Sequence, residues 1–232
     1  MNKYFIISVG ALTVFSVLAL LVSPKLDVGL ALPLIQEDTM IFLQLNKQQQ
    51  QHYATLDQFM ILMTQYGREL VWPVTILFLF IFGGTTGKTA AIIMALAMIV
   101  LIPIGIVSKE IVARPRPFIP DTEVILAADS QYAYPSGHSM IVSAGAVIVV
   151  VFLFLNNNSS SSWKKKAVFI ALTIEAAIVC FSRIYVGAHY LLDVVGGILL
   201  GVGISLLFIS QSKRIDNLHT AIARSFKKQP QI

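Results

Sequence analysis

The sequence predicts an all-α fold: a polytopic membrane protein with six transmembrane helices in a bundle. Three observations predict it. The 232 residues are 56% hydrophobic and only 12% charged, with a mean hydropathy of +0.77, whereas soluble domains carry about a quarter charged residues. Apolar runs of the length read as membrane spans recur from one end of the chain to the other. The polar residues left over are concentrated in three short stretches rather than spread along helix faces. Residues 1–232 therefore read as a single integral membrane domain. The one cysteine, Cys180, sits in an apolar stretch and allows no intramolecular disulfide. The net charge of +5 is dispersed among span ends, so no nucleic-acid partner is expected.

Taken in order, the spans are 4–22, 67–82, 89–108, 137–155, 167–181 and 191–210. The first follows a weak basic start, Met-Asn-Lys, and no small-residue cleavage site succeeds it. It reads as an uncleaved helix rather than a secretory signal. Segment 32–45 is mixed and apolar-rich, suited to an interfacial helix. The second span is short, and the apolar stretch 59–63 extends it toward the N-terminus. Two polar runs, 47–51 (KQQQQ) and 156–162 (NNNSSSS), read as connecting loops. The chain shows no internal repeat.

Orientation follows from the loop cations. With the N-terminus in the cytoplasm, the inner segments carry Lys3, Lys88, Lys164, Lys165, Lys166, Lys213, Arg214, Arg224, Lys227 and Lys228. The outer segments then carry Lys25, Lys47, Arg68, Lys109, Arg114, Arg116 and Arg183, together with most acids, among them Asp38, Asp57, Asp121, Glu123 and Asp129. The bias places both termini in the cytoplasm. It also brings the three polar stretches, 109–117 (KEIVARPRP), 134–138 (YPSGH) and 182–193 (SRIYVGAHYLLD), to the same outer face.

Each stretch has a plain reading and a chemical one. Lys109, Arg116 and Arg183 could each be a snorkelling cation at a span end. Together, beside two histidines, they form an anion cage in which planar guanidinium forks meet phosphate oxygens and a lysine adds a point charge. Arg114 is a less certain member. Pro115 and Pro117 stiffen the segment that carries Arg116. Ser136 is placed to cap the helix that begins at Gly137, and such an N-terminus offers backbone N–H groups to an anion. The same residues could be a cap and nothing more, with His138 an ordinary interfacial histidine. His189 and Asp193 are four apart, a spacing that puts both on one helix face. A carboxylate bonded to one ring nitrogen leaves the other nucleophilic. As a structural pair, Asp193 would simply favour a helix start.

Lys109-x6-Arg116-Pro117, then Pro135-Ser136-Gly137-His138, then Ser182-Arg183-x5-His189-x3-Asp193, resembles the three-part signature of the type 2 phosphatidic acid phosphatase superfamily, membrane branch. All three parts stand in order with no position missing. Leu56-Asp57 with Thr64-x-Tyr66-Gly67 is loosely similar to undecaprenyl-diphosphate phosphatases of the bacitracin-resistance type. The resemblance implies that His189 is a nucleophile forming a phosphohistidine, oriented by Asp193. It implies that His138 protonates the leaving oxygen and then activates water. Lys109, Arg116, Arg183, Ser136 and the Gly137 N–H would hold the phosphoryl oxygens. No metal and no cofactor are expected.

The expected protein is thus a cell-membrane lipid phosphatase with its active site at the outer interface, acting on a lipid phosphate or diphosphate. Undecaprenyl diphosphate is favoured over phosphatidylglycerol phosphate, phosphatidic acid and diacylglycerol diphosphate. A phosphotransferase using the same intermediate and a non-catalytic lipid-binding or transport protein are the rival classes. Glu175, in the middle of the fifth span, is costly as an ionised group there. A structural role is favoured for it over one lining a headgroup path.

Overall fold

The computed structural model describes residues 2–26, 29–49, 54–117, 130–155 and 163–217. The polar run 156–162 and the tail cations Arg224, Lys227 and Lys228 lie outside the described residues, as do Asp121, Glu123 and Asp129. Regular structure among the described residues is helical: α1 (Lys3–Val22), α2 (Leu32–Gln49), α3 (Ala54–Tyr66), α4 (Trp72–Phe82), α5 (Gly84–Val112), α6 (Gly137–Val149), α7 (Trp163–Tyr185) and α8 (Leu191–Ser210).

Local chemistry explains several of the ends. The Asn2 side chain accepts the Tyr4 N–H at 3.0 Å and caps α1. A π-helical stretch, Gly67–Val71, joins α3 to α4 in one helical run of residues 54–82, longer than the expected second span. Pro73 follows closely after the π-helical stretch, inside that run. Helices α5 and α7 both outrun the expected spans, 89–108 and 167–181, so Lys109 and Arg183 ride on final helical turns rather than in loops. Apolarity marks only the part of a helix that lies in hydrocarbon. The backbone continues its own hydrogen bonding into the interface, because an unpaired amide is expensive there. Ala113 then adopts a left-handed conformation, φ 53°, and its N–H closes α5 on the Lys109 carbonyl at 2.8 Å. That turn sends residues 114–117 back over the end of the bundle.

Four helices are long and apolar enough to cross a membrane: α1, α5, Lys166–Tyr185 of α7, and α8. Gly137–Leu153 is a shorter apolar helix. Large apolar side chains such as Ile6, Leu20, Leu77, Ile99, Ile106 and Ile174 face outward, the surface a lipid environment requires. Helix α8 is the central one. Inside the protein 61% of its span is buried, against 17% for α1.

Helix α8 packs on α6 with almost no side-chain layer between them. A Cβ on Gly197 would fall 2.4 Å from the Ser136 carbonyl oxygen, and one on Gly201 would fall 2.2 Å from that of Met140. Small residues of this kind let membrane helices approach backbone to backbone. The approach has a functional result. It sets the first turn of α6, with Ser136 to His138, directly beside the first turn of α8, with Asp193. The Ser136 N–H donates to the Asp193 carbonyl at 2.9 Å.

Candidate active site

The ends of α5 and α7 and the starts of α6 and α8 meet at one end of the bundle, and all three polar stretches arrive there. Residues 114–117 lie antiparallel to 130–135 through the Ala133 N–H donated to the Arg114 carbonyl at 2.8 Å and a bridge between Pro115 and Tyr132. This short pairing places Ser130 among the cations. Lys109 Nζ donates to Ser130 Oγ at 3.2 Å and to the Tyr132 carbonyl at 2.9 Å. Arg116 donates through Nε to the Ser130 carbonyl at 2.6 Å and through Nη2 to Ser130 Oγ at 2.8 Å. Nothing in the sequence pattern singled out Ser130.

Arg116 Nη1 also donates to the Ala188 carbonyl at 2.6 Å and reaches His189 Nε2 at 3.2 Å. A guanidinium has no acceptor. The contact therefore requires a lone pair on Nε2 and leaves the ring proton on Nδ1. That is the tautomer a nucleophilic Nε2 needs. His189 is only 2% exposed. Burial, then the charges of Arg183, Arg116 and Lys109, hold its imidazole well below the usual histidine range and so neutral at physiological pH.

The partnership expected between His189 and Asp193 is looser than a hydrogen bond. His189 Nδ1 stands 3.6 Å from Asp193 Oδ2 and has no hydrogen-bond partner among the described residues. His189 lies before α8 rather than on it, since Tyr190 is the N-cap residue and Leu191 the first helical one. The four-residue spacing therefore does not make a helix-face pair. Asp193 instead faces other donors. Its Oδ2 accepts the Tyr190 N–H at 2.9 Å, and its Oδ1 accepts Arg114 Nη1 at 2.7 Å. Arg114 Nη2 in turn bonds Asp38 Oδ2 at 2.6 Å, and Asp38 Oδ1 takes the Leu192 N–H at 3.0 Å. The guanidinium lies over the Tyr190 ring, 4.4 Å from its centroid. Burial works against the Arg114 charge, but Asp193 and Asp38 outweigh it and raise the pKa further. Arg114 is thus a clamp between two buried carboxylates rather than a member of the cage. Asp38, on α2, ties the interfacial helix to the site. Two adjacent acids, Glu37 and Asp38, in the apolar-rich 32–45 segment were the available signal for it.

The remaining residues line the other side. Ser136 occupies the N-cap position of α6, yet its hydroxyl makes no capping bond and accepts from Ser139 Oγ at 3.0 Å instead. The first N–H groups of α6, from Gly137 onward, have no intrahelical partner by geometry and remain available to an anion. Arg183 Nη1 donates to Thr64 Oγ1 at 3.3 Å, and Thr64 Oγ1 lies 2.7 Å from Ser182 Oγ. Thr64 thus links α3 to the end of α7. The charges of Arg183 and Arg68 both act on His138. Among the described residues no group of three or more His, Cys, Asp or Glu side chains could hold a metal ion.

A model of the PAP2 superfamily matches residues 89–216, which contain every one of these motif residues. The chain belongs to the PAP2 superfamily. Its relatives include the undecaprenyl-diphosphatase of Sulfolobus acidocaldarius, 40% identical over 159 residues that cover 67% of this chain and 70% of that protein. The undecaprenyl-diphosphatase BcrC of Bacillus subtilis is 26% identical over 189 residues, covering 77% of this chain and 90% of the relative. The crystal structure of a transmembrane PAP2-type phosphatidylglycerolphosphate phosphatase from Bacillus subtilis superposes with a TM-score of 0.68 over 90% of this chain and 96% of that one, at 24% identity. That likeness concerns the fold of this PAP2 chain.

Glu175 lies away from the cage. Both of its carboxylate oxygens are buried without a hydrogen-bond partner among the described residues, as is Trp72 Nε1. One oxygen packs 2.9 Å from where a Cβ on Gly67 would stand. Glu175, on α7, therefore faces the π-helical stretch at Gly67.

The lowered His189 pKa carries a stability prediction. Between the folded pKa and the ordinary histidine value near 6.5, the unfolded state binds a proton here that the folded state does not. Stability therefore falls as pH drops through that window. In detergent, the melting temperature should fall less between pH 7.5 and 5.5 for His189→Gln than for the wild type. An equal fall in both would mean that His189 is not held neutral.

Proposed function

We propose that this PAP2 protein is an integral membrane phosphatase that removes the terminal phosphate of a lipid diphosphate through a phosphohistidine at His189. The observation that carries the reading is the contact of Arg116 Nη1 with His189 Nε2 at 3.2 Å. A lone pair on a neutral imidazole points into a ring of cations, and a bound phosphoryl group would replace that contact with contacts to its own oxygens.

The steps then balance. The Nε2 lone pair attacks phosphorus while the bond to the bridging oxygen breaks, and His138 delivers a proton to the departing lipid phosphate. Water next attacks the phosphohistidine. His138 takes its proton, the P–N bond breaks, and inorganic phosphate leaves with His189 neutral again. Lys109, Arg116 and Arg183, with the Ser136 hydroxyl and the Gly137 N–H, offset the charge that gathers on the phosphoryl oxygens in the transition state. Asp193 stabilises the positive ring that forms on attack, and a small closure of its 3.6 Å separation would make the bond. The cations supply charge neutralisation without a divalent ion.

The choice of a polyprenyl diphosphate rests on the 40% identical undecaprenyl-diphosphatase. The proposed layout has six spans, with the helical run 54–82 as the second, both termini in the cytoplasm and the site at the outer face. Loop charge supports that side, since Lys88 and Lys213 sit at the opposite end of the bundle from the cage. Phosphate release from a panel of lipid substrates in detergent tests the reading, using a polyprenyl diphosphate, phosphatidylglycerol phosphate and phosphatidic acid, each with and without EDTA. The diphosphate should be turned over fastest and EDTA should not slow it. No release from any of them would remove the assignment, and loss with EDTA would remove its metal-free form.

A further inference from the structure

Several cations at the site end of the bundle are already engaged. Lys109 and Arg116 are drawn to Ser130, Arg114 is clamped between carboxylates, and Arg183 is held by Thr64. Arg68 differs. Its described partner is its own neighbour Glu69, in an ion pair that is partly open to solvent. Exposed pairs of this kind contribute little and are readily exchanged. Its Nη1 lies only 3.9 Å from where a Cβ on Gly137 would stand, at the entrance to the first turn of α6. It is also close enough to act electrostatically on His138.

The backbone under Arg68 is built to hold that position. Arg68 lies in the π-helical stretch Gly67–Val71, where the extra residue per turn changes which side chains face the neighbouring helices. Gly67 is pressed against α7 so closely that a Cβ would meet Val179 Cγ2 at 2.4 Å. The helix therefore cannot slide outward or rotate without losing that contact, and Arg68 stays over the start of α6.

Placement relative to the two histidines decides what Arg68 can bind. Arg116 and Lys109 lie on the His189 side, where the phosphoryl group is attacked. Arg68 lies on the His138 side, where the departing oxygen takes its proton. A lipid diphosphate still carries one phosphate on that departing group, and a lipid monophosphate carries none.

We propose that Arg68, beside Gly137 and His138, forms the subsite for the phosphate that stays on the lipid, and so sets a preference for diphosphates over monophosphates. This rests on the phosphatase reading above. The guanidinium exchanges Glu69 for the proximal phosphate when substrate binds.

The test compares kcat/KM for farnesyl diphosphate and farnesyl monophosphate, in detergent, for wild type, Arg68→Ala and Arg68→Lys. In Arg68→Ala the diphosphate-to-monophosphate ratio should fall about tenfold or more, the scale of one charge-assisted hydrogen bond. Arg68→Lys, which keeps the charge but loses the fork, should fall between. A ratio that stays within about threefold of wild type would overturn the subsite, whether both rates persist or both collapse. In the latter case Arg68 would serve His138 or the fold instead. The phosphatase reading is judged separately, by whether the wild type cleaves the diphosphate at all.

Discussion

His189→Ala is expected to lower turnover of any lipid phosphate by at least about 10⁴-fold, because removal of a nucleophile deletes the covalent route and leaves only binding and charge stabilisation. KM should change far less, since Arg116, Lys109 and Arg183 still hold the phosphoryl group. The companion variant sharpens the test. In His138→Ala the diphosphate still has a good leaving group, but the base proposed to activate water is gone. Radiolabelled phosphate from the substrate should then remain on the protein, and it should not in His189→Ala or in the double variant. Turnover by His189→Ala within tenfold of wild type would exclude the phosphohistidine.

Arg114→Leu is the second large effect, and it separates two arginines that stand only two residues apart. Asp193 is 0% exposed and Asp38 2% exposed, and both lose their cation when Arg114 is removed. Breaking a buried pair in this way costs about 3–5 kcal/mol, because a carboxylate is left uncompensated. Two carboxylates sharing one cation should lie toward the upper end of that range. The melting temperature in detergent should fall by several degrees or more, and kcat should fall with it as Asp193 swings or takes up a proton. Arg116 bonds the Ser130 and Ala188 carbonyls, so Arg116→Leu should lower activity strongly with a smaller change in melting temperature. If the two variants melt alike, the clamp does not stabilise the fold.

The contrast explains why the site was only partly legible in the chain. Lys109, Arg116, Ser136, His138, Arg183, His189 and Asp193 all carry polar side chains where apolar ones are expected, and that anomaly is visible in one dimension; Gly137 was legible only by its place between Ser136 and His138. The helical architecture was legible for the same reason, since hydropathy is a property of each segment alone. Segment 32–45 does form a helix, α2, but its two acids, Glu37 and Asp38, gave no hint of which one meets Arg114. Helices α5 and α7 run beyond the apolar spans, because hydrogen bonding along a helix does not stop where apolarity does. Ser130 carries no comparable signal, and Thr64 stood out only through the loose Thr64-x-Tyr66-Gly67 similarity. Serines and threonines are common in loops and helices alike, and what distinguishes these two is which cation lies across from them.

By itself, then, the sequence determined that the chain lives in a membrane, that its costly polar groups fall in three stretches, and which residue types the site contains. Only the tertiary structure decided their division of labour. Arg114 and Arg116 are indistinguishable by composition, and the left-handed turn at Ala113 with the pairing of 114–117 against 130–135 sends one to two carboxylates and the other to His189. The His189–Asp193 spacing suggested a bonded pair, but the start of α8 at Leu191 leaves them 3.6 Å apart and gives Asp193 to Arg114. Charge pairing across helices depends on rotation and on how closely backbones approach, as at Gly197 and Gly201. Those quantities are properties of packed neighbours, and no single segment of the chain contains them.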